Sequence, residues 1–225
     1  MGKEYYRPAF LSYDNKISRG VSLIDDFEGT FLWTRTQSAG DASGEASATA
    51  AYHGTNGFLL KTRATDPADG DWVTASRLVC VPQSGVFVAR CRFSFPDVSD
   101  VEKFMIGFTM ASQGTAKTGG VIISPNTPAF SFINSTGSSS VAEAITYGPK
   151  DGSWHTLEVV LNFSTEKYVA ASFDQTEADL SGEAFCAGIP STTTYYQLEF
   201  YLETTGANQA IVYIDDVAFI EQQLM

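Results

Sequence analysis

Residues 86–95 read VFVARCRFSF, with Phe87, Ala89, Cys91, Phe93 and Phe95 on one side of an extended chain and Val86, Val88, Arg90, Arg92 and Ser94 on the other. A period of two sends successive side chains to opposite faces, which describes a half-buried strand and excludes a helix. The pattern recurs. KFMIGFTM (103–110) gathers Phe104, Ile106, Phe108 and Met110, and HTLEVVLNF (155–163) gathers Leu157, Val159, Leu161 and Phe163. YYQLEFYLE (195–203) turns Tyr196, Leu198, Phe200 and Leu202 inward and leaves Tyr195, Gln197, Glu199 and Tyr201 outward. Between the runs stand turn-forming clusters such as ATDPADGD (64–71), SQGTAKTGG (112–120), NSTGSSS (134–140) and YGPKDGS (147–153), rich in the residues that accept tight or left-handed backbone. No segment sustains an apolar stripe at helical spacing; VAEAIT (141–146) offers one helical turn at most. The pattern predicts an all-β antiparallel β-sandwich, a jelly roll of about twelve strands,.

The chain has 225 residues, 44% of them hydrophobic, which suffices for one large β domain,. The formal charge of −12, with only 14 scattered Lys and Arg, argues against a nucleic-acid partner, which calls for a basic face,. No apolar run approaches the length of a membrane-spanning helix,. The N-terminus MGKEYYRPAFLSYDNK has no apolar signal region, so synthesis in a cytoplasm is expected,. Cys80, Cys91 and Cys186 do not form a disulfide framework and read as free thiols, with Cys80 and Cys91 flanking a turn at PQSG (82–85),.

Residues 1–22 carry no clean period but are rich in aromatics. They read as an extended arm ahead of a sandwich domain at 23–225, with Tyr5, Tyr6, Phe10 and Tyr13 seeking burial against a neighbouring subunit or the same domain,.

Two acidic pairs interrupt apolar runs at opposite ends of the chain: Asp25-Asp26 in IDDFEGTFLW (24–33) and Asp215-Asp216 in AIVYIDDVAFIE (210–221). Burying a carboxylate is costly unless it is paired, hydrogen-bonded or bound to metal. The matching stretches predict that the first and last strands meet. Strict alternation along the second stretch sends Asp215 to one face and Asp216 to the other.

The order DFEG…W, then HGTNGFLLK (53–61), then YIDDVAFIE (213–221) resembles the jelly-roll carbohydrate-binding modules. DGSWHTLEVVLNFSTEKYVAASFD (151–174) is similar to a strand pair of laminin-G and concanavalin A-like domains, although their following Asp-Gly turn is replaced here by FDQTEADLSG. The resemblance implies a structural Ca²⁺ held by Glu28, by Asp215 or Asp216, and by a carbonyl near Gly57, an oxygen set suited to that ion. The alternative is that these acids pair with Lys61, Arg63 or backbone N–H groups.

Catalytic signatures are missing. His53 and His155 stand far apart, no HExxH, CxxC, GxSxG or P-loop occurs, and LEFYLE (198–203) lacks the central acid of the concanavalin A-like glucanases,. Sugar recognition uses aromatic platforms flanked by polar groups. Tyr195, Gln197 and Tyr201, with Trp72, are the expected carbohydrate-binding set; Trp33 and Trp154 are the other aromatic candidates, and core packing is the alternative for all three tryptophans. The opening DDFEGTFLW after a short arm is similar to jelly-roll proteins encoded among phage structural genes. The resemblance therefore implies a non-catalytic virion surface protein, a bacteriophage capsid decoration or head-fibre protein partnered by its own copies or by capsid protein. A carbohydrate-binding module or lectin is the alternative, and a polysaccharide-cleaving enzyme is disfavoured.

Overall fold

The computed structural model describes residues 21–222 except 26, 29–31, 80–84, 113, 126, 128, 146–147, 189 and 192. The arm expected at 1–22, with Tyr5, Tyr6, Phe10 and Tyr13, lies outside the described residues apart from its last two positions, which begin the first strand. Among the described residues sixteen strands, numbered in chain order, form two antiparallel sheets of eight. The first sheet holds β1 (Val21–Asp25), β3 (Ser43–Ser47), β4 (Gly57–Lys61), β6 (Val86–Ser94), β11 (Trp154–Asn162), β12 (Lys167–Phe173), β13 (Thr176–Asp179) and β16 (Ile211–Gln222). The second holds β2 (Thr34–Gln37), β5 (Trp72–Leu78), β7 (Val101–Ser112), β8 (Thr115–Ile123), β9 (Ala129–Ile133), β10 (Ser139–Ala144), β14 (Cys186–Ala187) and β15 (Tyr195–Thr204).

The first sheet runs β13-β12-β11-β6-β16-β4-β3, with β1 also paired to β16; the second runs β10-β9-β8-β7-β15-β5-β2, with β14 on β8. The strands beyond the expected twelve include short ones, β2, β3, β13 and β14, too brief to show a periodic pattern. Residues 141–144 extend β10 and do not form a helical turn. β5 and β6 lie in opposite sheets and so do not pair as a hairpin. Cys80 falls between them, outside the described residues. Cys91 is buried as a free thiol, and Cys186 is also free.

The alternation places the core as expected. Phe87, Ala89, Cys91, Phe93, Leu157, Val159 and Leu161 of the first sheet face Phe104, Ile106, Phe108, Leu198, Phe200 and Leu202 of the second, all buried. Aligned sheets with interdigitating inner faces make this the usual sandwich core. Trp33 is part of it, 5.1 Å from the Phe200 ring and 5.9 Å from Phe58.

The first and last strands do meet: β1 pairs antiparallel with β16, from Val21 opposite Ile220 to Asp25 opposite Val217. Facing β6, β16 jumps register between Asp215 and Ala218. Asp216 occupies the jump with φ of +49°, a left-handed backbone typical of bulges,. The bulge breaks the alternation, and the expectation that the two carboxylates point to opposite faces fails for that reason: both reach the loop at residues 52–53.

Candidate functional site

On the outer face of the second sheet, β15 is flanked by β7 and β5, and the register lays out its side chains in rows. Gln197 stands between Thr109 and Leu78, Glu199 between Gly107 and Ser76, Tyr201 between Met105 and Thr74, and Glu203 between Lys103 and Trp72. Tyr195 closes the strand at the far end, opposite Ala111. The structure thus brings Tyr195, Gln197, Tyr201 and Trp72 onto one face. From Tyr195 to Tyr201 the strand covers about 20 Å at the usual rise.

Trp72 and Tyr201 stack, with ring centroids 6.1 Å apart and planes 21° from parallel. The Tyr201 hydroxyl donates to Glu203 Oε2, and Lys103 Nζ donates to both oxygens of Glu203 at 3.0 and 3.2 Å. Lys103 and Glu203 therefore neutralise each other and hold the tyrosine in place. Burial, together with the Glu203 and Glu199 carboxylates, pushes the Tyr201 hydroxyl pKa up, so the phenol stays protonated as a donor,.

Glu199 occupies the middle of the face. Burial raises its carboxyl above the ordinary value, partly offset by a hydrogen bond from Gln197. Beside it, Gly107 lies opposite Gly120 of β8. A Cβ on Gly120 would meet the Met105 sulfur at 2.8 Å and the Gly107 Cα at 3.0 Å, so the Met105 side chain lies folded over these two buried glycines. At the Gln197 end, Leu78 is 68% exposed.

The acidic residues first considered for metal occupy a different region. Asp215 is fully buried; its Oδ2 accepts N–H bonds from Tyr52 at 2.7 Å and His53 at 2.9 Å, and its Oδ1 accepts the Asp216 N–H at 2.8 Å. Glu28 Oε1 accepts the backbone N–H of Thr55 and, at 2.8 Å, that of Asn56; these bonds lower its pKa. Asp216 pairs with Arg92 Nε at 3.3 Å and His53 Nδ1 at 2.9 Å. Gly57 begins β4, where a Cβ would strike the Ala50 carbonyl oxygen at 2.0 Å. The groups aimed at these carboxylates are donors, which suit an anion, and among the described residues no group of three or more His, Cys, Asp or Glu gathers around a point. The residues do not fit a calcium cage; Lys61 instead pairs with Glu45 and Arg63 with Asp71.

Asp25 has a role that sequence reading missed. From the end of β1 its Oδ2 accepts the Trp33 indole N–H at 2.9 Å and meets Arg77 of β5, tying the two sheets together. Arg77 sits at an inward position, opposite Leu198, and this one basic residue in an apolar stripe was the available signal. Lys103, Met105, Gly107 and Gly120 were also missed, because cross-strand neighbours depend on register. His53 lies in the loop after the short helix Ala48–Ala50 and His155 in β11, each paired with its own Asp.

No protein-family model matches the chain, and no curated protein matches it. Among solved structures it is similar to the carbohydrate recognition domain of Emp46p in its potassium-bound form, at 10% identity over 91% of this chain and 98% of that one, with a TM-score of 0.55. It is similar to the cellulose induced protein Cip1, at 13% identity over 90% and 98%, TM-score 0.54. It is also similar to the carbohydrate esterase vb_24B_21 of Shiga toxin-encoding bacteriophage phi24B, at 13% identity over 85% and 91%, TM-score 0.53. Against a sialidase, also at TM-score 0.53, the chain spans only 19% of that protein's length. At these identities the likeness is one of fold, and in fold the chain is a jelly-roll, concanavalin A-like β-sandwich.

Proposed function

We propose that the protein binds carbohydrate without cleaving it, laying a stretch of glycan across the outer face of β15 and its neighbours. The observation that carries this is the Trp72–Tyr201 stack on one strand face with Gln197 and Glu199. A sugar ring offers an apolar face for an aromatic plane and a rim of hydroxyls for amide and carboxylate partners. The carbohydrate-binding-like fold supports the same reading.

Support for a non-catalytic role comes from the carboxylates. Glycoside hydrolysis uses two carboxyl groups about 5–10 Å apart, one protonated and one free to act. Glu199 and Glu203 are four positions apart on one strand, about 13 Å between Cα atoms, and Glu203 is already held by Lys103 and Tyr201.

The test is a glycan array of neutral and uronic-acid polysaccharides, followed by titration of the best ligand against Trp72→Ala and Tyr201→Ala. Each variant is expected to weaken binding at least tenfold, about 1.4 kcal/mol. Absence of binding to every glycan, or unchanged affinity in both variants, overturns the reading.

A virion-surface setting, with residues 1–22 docking on capsid protein or on further copies, is a narrower proposal. It draws support from the fold shared with a bacteriophage esterase over most of both chains. Peptide mass spectrometry of purified particles tests it, and absence of this chain from them refutes it.

A further inference from the structure

The platform on the second sheet leaves one aromatic cluster of the first sheet without a role. Trp154 opens β11 and, with the turn that joins β12 to β13, borders a cavity of about 720 Å³. Its other walls include Thr156, Asp174, Gln175 and Thr176. That size lies within the range of small-molecule pockets.

The walls are fixed before anything binds. Asp174 has φ of +50°, and its backbone N–H donates to the Thr156 carbonyl at 2.9 Å. Its carboxylate accepts the Thr156 N–H at 2.8 Å and meets His155 Nδ1 at 2.8 Å. The Trp154 indole is buttressed by the Tyr52 ring at 5.1 Å, and Arg92 lies over that ring at 4.2 Å. The Tyr52 N–H is in turn held by Asp215. The acidic clasp at the β16 bulge therefore sets the position of the ring behind Trp154. Such preorganisation removes much of the ordering cost of binding.

The lining chemistry is an indole, the His155 imidazole, the Phe173 ring, the Asp174 carboxylate, a turn amide and two threonines, with no lysine or arginine along it. The Asp174 carboxylate is engaged by its own neighbours. With no lysine or arginine, and with the His155 Nδ1 already held by Asp174, this set suits a small uncharged polyol that offers one apolar face and several hydroxyls. We propose that the Trp154 cavity is a second carbohydrate site, on the other sheet from the platform, which takes a single sugar ring or the end of a glycan chain.

The chain has three tryptophans, and their indole N–H signals report on three places: Trp33 in the core, Trp72 on the platform and Trp154 at the cavity. The experiment is a ¹⁵N-correlation titration of the full chain with the methyl glycosides of glucose, galactose, mannose, xylose and N-acetylglucosamine, each to millimolar concentration. At least one is expected to shift the Trp154 signal saturably and leave Trp33 still. Gln175→Ala, an exposed turn residue outside the core, is expected to raise the dissociation constant at least fivefold, and Trp154→Phe to weaken it less than Trp154→Ala. If no glycoside moves Trp154, the cavity proposal is overturned; movement of Trp72 alone would overturn it and leave the platform reading standing. A shift that Gln175→Ala leaves unaltered in affinity also refutes it.

Discussion

The Arg77 guanidinium, on an inward position of the second sheet, meets the Asp25 carboxylate at the end of the first strand of the opposite sheet. Both side chains are mostly buried, at 23% and 13% exposure, and Asp25 also holds the Trp33 indole and the Phe27 N–H. Removing one partner of such a pair leaves the other charge uncompensated. Asp25→Ala is expected to lower unfolding stability by about 3 kcal/mol, and Arg77→Met by less than Arg77→Ala, because methionine fills the apolar space. Urea denaturation followed by tryptophan fluorescence measures both. An Arg77→Met variant as stable as wild type would show that the pair has little value beyond packing.

Gly57 has a packing role at the start of β4. Because a Cβ there would lie 2.0 Å from the Ala50 carbonyl oxygen, two backbone segments must separate. Gly57→Ala is expected to destabilise by about 3 kcal/mol. EDTA and millimolar CaCl₂ are expected to leave the wild-type and variant midpoints unmoved. A calcium-dependent rise in the wild-type midpoint, lost in Asp215→Asn, would restore the metal reading of the clasp.

Glu28 gives a pH dependence of known sign. Its folded-state pKa is depressed by the Asn56 and Thr55 N–H bonds, so its contribution is present above its ordinary value of 4.5 and lost as pH falls through the lower folded value,. Amide hydrogen exchange at Thr55 and Asn56, relative to Leu60 in β4, is expected to quicken below that pH, and Glu28→Gln to remove the transition. Exchange that runs parallel at all three amides down to acid unfolding would contradict it.

Glu199 carries the opposite sign. Burial raises its folded-state pKa, so its contribution to stability is present below the ordinary 4.5 and lost as pH rises through the raised value,. Glu199→Gln is therefore expected to be at least as stable as wild type at pH 7. Sugar hydroxyls donate best to the ionised carboxylate, so platform affinity is expected to climb as pH rises through that same pKa. Calorimetric titration between pH 4 and 8 checks this, and a flat profile in wild type would remove Glu199 from the proposed contact set.

What the sequence revealed, and what it hid, follows from how far each interaction reaches along the chain. The alternation in 86–95 and 195–203 set the inward and outward faces of β6 and β15, because that is decided by neighbouring residues alone. The meeting of β1 and β16 was legible from two similar stretches. The Lys103–Glu203 pair, the Gly107–Gly120 pairing and the Asp25–Arg77 tie were not, since each depends on a register or a sheet crossing set by long-range packing. The bulge at Asp216 is a local break of period two and left no trace in the residue types, so the direction of the Asp216 carboxylate was misread.

The position of β16 has a consequence for synthesis order. It pairs with β6, β4 and β1, the middle of the first sheet, yet it is the last strand of the described chain to leave the ribosome. Until it emerges, β6 and β4 present unpaired edges that cannot join each other, and β1 has waited through nearly the whole chain for its neighbour. Contacts so distant in sequence make for slow folding, and naked edges in the interval invite pairing between nascent chains. Loss of a dozen residues from this end would remove the spine of a sheet, not a tail.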